Sequence, residues 1–427
     1  MNGSYNCFIS EGFVFGRSKF SLKSLVMNSS LCSCSLKIFS DCPKLEKLEA
    51  RFCRFEDIEK GFSLGISRET LKEIDISFVN SYGLKAITEC PKLEKLTIVC
   101  RNLRNLSEDF TLGCSKKSLK EISIESSDLN IEGLKVITDC PRLEILKIGN
   151  NNFENICNDF TLGCSKYSLK EIRIESSGLN INGLKAITNC NKLLKLNGSF
   201  NNFENIAEGF KLGISRETLR EINIESSDLN INGLKAITDC GRLERLNIGN
   251  NNFRNVCNEF DIGSSKYSLI ELNIRKSQLN YENLKIITEC PKLKILNVSL
   301  NNFENIPGGF RLGCSKKSLK EINISSCRLN LEGLKAVLDS DNLESFFGGF
   351  NEFENISQGF KLGNLKNSVK VIDMRCCNLN VNGLLMICNC NRLSKLYISG
   401  NRFPRCINVY SNFVIEQLKK KLKVLDL

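Results

Sequence analysis

Twenty-two cysteines offer this chain nucleophilic and metal-binding groups, and no histidine accompanies them. A thiol or hydroxyl nucleophile needs a base to take its proton, most often an imidazole. Ser-His-Asp and Cys-His catalysis, imidazole metal ligation and histidine pH switching are therefore closed to it. The close cysteine pairs are Cys32-x-Cys34, Cys376-Cys377 and Cys388-x-Cys390, and no C-x-x-C spacing occurs, which argues against structural zinc. Cys140, Cys190, Cys240 and Cys290 recur every 50 residues. Two strand spacings, about 10 Å, separate such positions in a stack, beyond disulfide reach, so they read as small core groups. No phosphate loop, no paired-carboxylate site and no nucleophile–base pair stands out. The sequence predicts no catalytic residue, no cofactor and no metal.

Composition points to a folded protein: 427 residues, 41% hydrophobic and 25% charged, with 26 Phe and only six Pro. Lys and Arg number 59 against 48 Asp and Glu, a net +11 that is moderate for this length. No basic face is legible beyond the Lys-rich helices and Lys419-Lys420-Lys421, so no nucleic-acid partner is expected. No signal segment opens the chain, and no apolar run approaches the ~20 residues of a membrane span. The expectation is a cytoplasmic or nuclear protein with reduced thiols.

The elements that position these residues repeat. SLKEISIESSDLNIEGLKVITDC (118–140) returns at 168–190, 218–240, 268–290 and 318–340. Each 50-residue period holds a 24-residue half beginning Leu119-x-x-Ile122-x-Ile124 and a 26-residue half beginning Leu143-x-x-Leu146-x-Ile148. Strand starts run from Leu22 to Leu393, about sixteen repeats, and Leu422-Lys-Val-Leu425 begins another. Alternation turns Ile122 and Ile124 inward, and stacking buries them in one core. Asn151, Asn201, Asn251, Asn301, Asn351 and Asn401 stand where the chain leaves the strand and are expected to satisfy the turn's backbone. Gly133-Leu134-Lys-Val136-Ile137 has helical spacing, and Phe160, Phe210, Phe260, Phe310 and Phe360 read as a second core column.

Both half-units match L-x-x-L-x-L-x-x-N/C-x-L, and GLKAIT-x-C-P-x-L-E-x-L resembles the cysteine-containing class of leucine-rich repeats found in F-box proteins. The alternating repeat types are similar to those of ribonuclease-inhibitor-like proteins. The resemblance implies an α/β leucine-rich-repeat solenoid (horseshoe) with a parallel concave sheet and short convex helices. One domain spans 1–427: a partial repeat over 1–21, sixteen repeats over 22–421, and the start of another at 422–427. Arg101 departs from the pattern at an Asn position, and Gly198 and Gly348 depart at inward strand positions. The ends carry no polar cap, so the expectation is either a fragment or ends that associate with another chain or a missing domain.

A large, rigid surface that can vary without disturbing the core suits recognition, so a non-enzymatic scaffold binding a protein partner through the concave face is expected. The resemblance implies one alternative, a substrate receptor of a ubiquitin ligase whose F-box is absent from this chain; a second alternative is a regulator of a small GTPase. The fifth strand position holds Asn197, Asn223, Asn247, Asn273, Asn297 and Asn323, read as either an amide ladder or a polar recognition strip. Farther on it holds Phe347 and Tyr397, with Val371 in the intervening strand and Leu300 at the margin; these four are the expected partner contact. Phe200 and Phe350 are discounted, because each can swing in to fill the space beside Gly198 or Gly348. Charges at the second and third strand positions alternate in sign between neighbouring strands and are expected to neutralise one another.

Overall fold

The computed structural model describes residues 15–27, 40–51, 58–99, 111–253, 259–354, 356–357, 360–401, 403, 416 and 418–427. Cys32-x-Cys34, Arg101 and most of the partial first repeat lie outside them. The chain divides into two compact units, Met1–Phe203 with Leu212–Leu219 and Glu204–Lys211 with Arg220–Leu427.

In the first unit eight strands pair in parallel in chain order: β1 (Ser24–Val26), β2 (Lys47–Ala50), β3 (Glu73–Ser77), β4 (Lys95–Val99), β5 (Glu121–Ile124), β6 (Ile145–Lys147), β7 (Glu171–Arg173) and β8 (Lys195–Asn197). The second unit does the same with β9 (Glu221–Asn223), β10 (Arg245–Asn247), β11 (Glu271–Asn273), β12 (Ile295–Asn297), β13 (Glu321–Asn323), β14 (Ser345–Phe347), β15 (Val371–Asp373), β16 (Lys395–Tyr397) and β17 (Val424–Asp426). Alternation sorts the side chains. Leu319, Ile322 and Ile324 are fully buried, while Glu321 and Asn323 lie on the open face.

The 24-residue halves carry helices such as Ile131–Ile137 and Leu331–Leu338, whereas the described 26-residue halves carry only a 3₁₀ turn such as Cys164–Tyr167. The second type lacks the apolar spacing a helix needs. Leu134 and Ile187 of the helices meet Leu146, Ile148, Ile172 and Ile174 of the sheet, so the core lies between the two layers. Each helix opens on Asn: Asn130 Oδ1 accepts from Gly133 N at 2.9 Å, and Asn180 Nδ2 reaches back to Ile156 O at 3.0 Å.

The turn asparagines close the backbone account at the strand exits. Asn301 Oδ1 accepts from Ser277 N (2.9 Å) and Leu279 N (3.0 Å), and its Nδ2 donates to Ile274 O (3.0 Å) and Val298 O (2.8 Å). Asn151, Asn251 and Asn351 do the same in their repeats. Of the expected Phe column, Phe160 and Phe260 are buried, but Phe210, Phe310 and Phe360 are half-buried. Gly209 and Gly309 precede two of these in the left-handed region (φ 78° and 81°), where Asp159 and Glu259 stand in the other repeats. The fully buried aromatic column is Phe153, Phe203, Phe253, Phe303 and Phe353.

Fifteen described cysteines are free. Cys140, Cys190 and Cys290 are fully buried, and burial pushes their thiols up to about 12. The charged strand positions pair across strands: Lys72–Glu46 at 3.0 Å, Lys120–Glu94 at 2.9 Å, and Arg245 with both Glu221 (2.7 Å) and Glu271 (3.2 Å). Exposed pairs of this kind contribute little stability, and the alternation is incomplete: Lys320 and Lys370 share Glu344, while Lys294 and Glu321 have no ion pair among the described residues.

Candidate functional site

The fifth-position asparagines do not form an amide ladder. Asn223, Asn247, Asn273, Asn297 and Asn323 each turn Oδ1 onto their own chain, accepting from the backbone N–H two residues on at 3.1–3.3 Å. In the first unit Asn197 does the same, with Ser199 N at 3.3 Å and Ser199 Oγ at 3.0 Å. An i to i+2 bond is available within one repeat, so it forms without any help from a neighbour. Asn247 Nδ2 donates to Glu225 Oε2 at 3.0 Å. The Nδ2 groups of Asn273, Asn297 and Asn323 have no protein partner among the described residues. What this row offers outward is hydrogen-bond donors.

Past Asn323 the row changes character. Register places Phe347 beside Asn323, Asp373 beside Phe347, and Tyr397 beside Asp373. Phe346, not Phe347, takes the inward position and is fully buried. Its ring occupies the space a side chain at 348 would need, since a Cβ on Gly348 would lie 2.4 Å from Phe346 Cζ. Phe347 therefore keeps its outward register and is half-buried, as is Tyr397.

The open face here sinks into a depression of about 600 Å³ lined by Leu300, Phe347, Phe350, Tyr397, Asp373 and Arg375, with Asn323 and Ser326 at its polar side. Leu300, Phe347 and Tyr397 are thus brought together. Val371 lies on the same face, half-buried, but does not line the depression.

Phe350 corrects the sequence reading: it does not swing in beside Gly348 but stands 57% exposed. Phe200 likewise stays outside. The reason is backbone conformation. The position two residues after the inward glycine is left-handed throughout the described repeats, with φ of 55° at Asn150, 56° at Asn250, 60° at Leu300 and 57° at both Phe200 and Phe350. That conformation directs the side chain away from the core, and Phe346 already fills the gap.

Two residues missed in the sequence complete the site. Arg375 clamps Asp373 in bidentate fashion, Nε to Oδ1 at 3.0 Å and Nη2 to Oδ2 at 2.6 Å, and its backbone N–H also donates to Oδ1 at 3.1 Å. The Asp373 bond holds the Arg375 guanidinium above its ordinary pKa. Asp373 is a fifth-position residue, so a carboxylate replacing Asn with Arg two residues later was the available signal. Nothing in the depression pairs a nucleophile with a base. It can bind by apolar contact, ring stacking and hydrogen-bond donation.

No protein-family model matches the chain, and no curated protein sequence does. Among solved structures, the leucine-rich-repeat protein LIC12759 of Leptospira interrogans superposes with a TM-score of 0.56 at 18% identity, over 94% of this chain and 99% of that one. An internalin (inlF) of Listeria monocytogenes str. 4b F2365 aligns over 95% of this chain and 87% of its own, at 15% identity and a TM-score of 0.40. The Leptospira likeness is one of fold, and it agrees with the one-strand-per-repeat parallel sheets and short helices described above. The architecture is an α/β leucine-rich-repeat solenoid.

Proposed function

We propose that this protein is a non-enzymatic scaffold that recognises a protein partner through the open, concave face of its sheet, with the Phe347 depression as the principal contact. One observation carries the reading. Leu300 and Phe350 are large apolar side chains held 46% and 57% exposed at positive φ. Each conformation costs a non-glycine residue about 1–2 kcal/mol, and exposure forgoes the burial that would offset it. Asn, Ser and Gly fill the same position elsewhere at lower cost, so the fold gains nothing from these two. A partner that covers them does.

Buried Cys90, Cys140, Cys190, Cys240, Cys290 and Cys390 at corresponding points of the pairs support placement with the cysteine-containing repeat class. No helix among the described residues is long and apolar enough to cross a membrane. The free thiols fit a reducing compartment, the cytoplasm or nucleus.

The test compares tagged wild-type protein with a Phe347→Ser/Tyr397→Ser double variant in affinity capture from cells expressing the native chain, alongside thermal melts. The expected result is loss of a stoichiometric partner with the melting temperature nearly unchanged. A sharp fall in melting temperature would make these residues core. Unchanged capture would move the interface elsewhere, first to the Asn223–Asn323 row.

A further inference from the structure

Charge on the open face of the second unit is unevenly shared. From β11 to β16 the fifth, seventh and eighth repeat positions contain one carboxylate, Asp373, which is 7% exposed and clamped by Arg375. The same positions hold three cations. Arg275 and Lys276 are exposed and have no ion pair among the described residues. Arg375 offers Nη1 without a hydrogen-bond partner among those residues, its guanidinium lying 5.6 Å from the Tyr397 ring centre. Between Arg275 and Arg375 these three positions hold uncharged groups, the Asn Nδ2 donors, serines, and the apolar Leu300, Phe347 and Phe350, while Glu321 at the third position of β13 is a carboxylate on the same face.

The apolar, donor-rich depression is therefore flanked by Arg275 and Lys276, without a counterion among the described residues, on one side and by Arg375, paired with Asp373 but with Nη1 still open, on the other. Four strand spacings, roughly 19 Å, separate the repeats of Arg275 and Arg375. An extended peptide covers that span in about six residues. A nucleic-acid strand carries a phosphate at every nucleotide and would leave those over the middle unpaired.

Resting on the docking surface proposed above, we infer that its occupant is an extended acidic segment of a protein partner. The segment crosses β11 to β15, places carboxylates near Arg275–Lys276 and Arg375, and lays apolar side chains into the depression between. The asparagine amides donate to its backbone carbonyls.

The experiment selects a random peptide display library against the full chain, in parallel with a Phe347→Ser/Phe350→Ser variant. Peptides retained only by wild type are expected to carry Asp or Glu on both sides of large apolar residues. A synthetic peptide of that set should bind about fivefold more weakly to an Arg275→Gln/Lys276→Gln variant, and more weakly as salt rises. Both substitutions are at exposed, unpaired positions, and a thermal melt verifies the fold. Enrichment of neutral or basic peptides, or indifference to Arg275→Gln/Lys276→Gln, overturns the acidic segment while leaving the docking surface standing. So does failure to select any depression-dependent peptide when cellular capture still depends on Phe347 and Tyr397. Tight binding of a labelled oligouridylate that is lost on Arg275→Gln/Lys276→Gln would replace the peptide with nucleic acid and overturn both readings.

Discussion

The Arg375 guanidinium lies 5.6 Å from the centre of the Tyr397 ring while its other edge grips Asp373. One cation thus orders two neighbouring fifth-position side chains, a carboxylate beneath it and an aromatic face beside it. The consequence can be measured as a coupling. Arg375→Gln leaves Asp373 nearly buried without its counterion and should cost about 2 kcal/mol in urea unfolding. Adding Asp373→Asn should restore most of that, because Asn323 shows that an amide at this position can accept the backbone N–H two residues on. Additive losses in the double variant would show that the pair is not coupled.

Binding and stability should move in opposite directions at Phe350 and Leu300. Phe350→Asn or Leu300→Asn removes a bulky side chain from a left-handed conformation that Asn adopts at 150 and 250. Each should raise unfolding free energy by up to about 1 kcal/mol while weakening partner binding. A variant that is less stable would mean that these side chains support the fold.

The two inward glycines should respond differently to a methyl group. A Cβ on Gly198 would meet only Asn201 Nδ2, at 3.9 Å, so Gly198→Ala should stabilise by about 0.5–1 kcal/mol. At Gly348 the same methyl would collide with the Phe346 ring, and Gly348→Ala should cost about 1–3 kcal/mol. Equal effects in denaturant melts would contradict the packing described for Phe346.

Asn301→Ala removes the bonds to Ser277 N, Leu279 N, Ile274 O and Val298 O, and leaves Val298 O only its weak bond from Cys327 Sγ. The loss should reach about 3 kcal/mol or more, well above that of an exposed asparagine such as Asn302→Ala. A drop below about 1 kcal/mol would show that water or the backbone replaces the amide.

Stability should be flat from about pH 6 to 8, since no histidine titrates there. Burial raises the thiols of Cys90, Cys140, Cys190, Cys290, Cys327, Cys377 and Cys390 from 9.0 to about 12. A raised folded-state pKa stabilises fully below the unfolded value and loses that contribution as pH climbs toward the folded one. The chain should therefore weaken progressively from about pH 9 to pH 12. At the acid end, Glu344 is lowered by its hydrogen bond from Lys370 and Asp139 by that from Lys116. Their small contribution is present above the ordinary carboxylate values and is lost as pH falls from those values through the lowered folded-state ones. Denaturant melts from pH 3 to 11 check both limbs, and reductant should leave the neutral melting temperature unchanged.

The fold was legible because Leu, Ile, Asn and Cys recur every 50 residues, and stacking turns such a period directly into a core. The outward direction of Phe347 followed from the same alternation. What escaped was set by backbone torsions and by local bonds. Left-handed φ at Phe350 has no signature in hydrophobic period, so a ring there looked able to turn inward. The fifth-position asparagines looked like partners for one another, yet an acceptor's nearest donor was its own chain two residues away. Arg375 lay beyond the strand, where the alternation argument does not reach, and the role of Asp373 depends on it.

Asn151 illustrates how the array is able to change length. Its side chain completes the backbone of the 24-residue half before it, while Asn180 of the following half reaches back to Ile156. A gene that gained or lost a single half-unit would bring two like halves together and strand these amides and carbonyls. Gain or loss of a whole pair keeps every donor opposite an acceptor. The paired unit is thus the heritable module, and related genes should differ in length by multiples of about 50 codons, each step moving the Phe347 depression along the sheet by two strands without altering its shape.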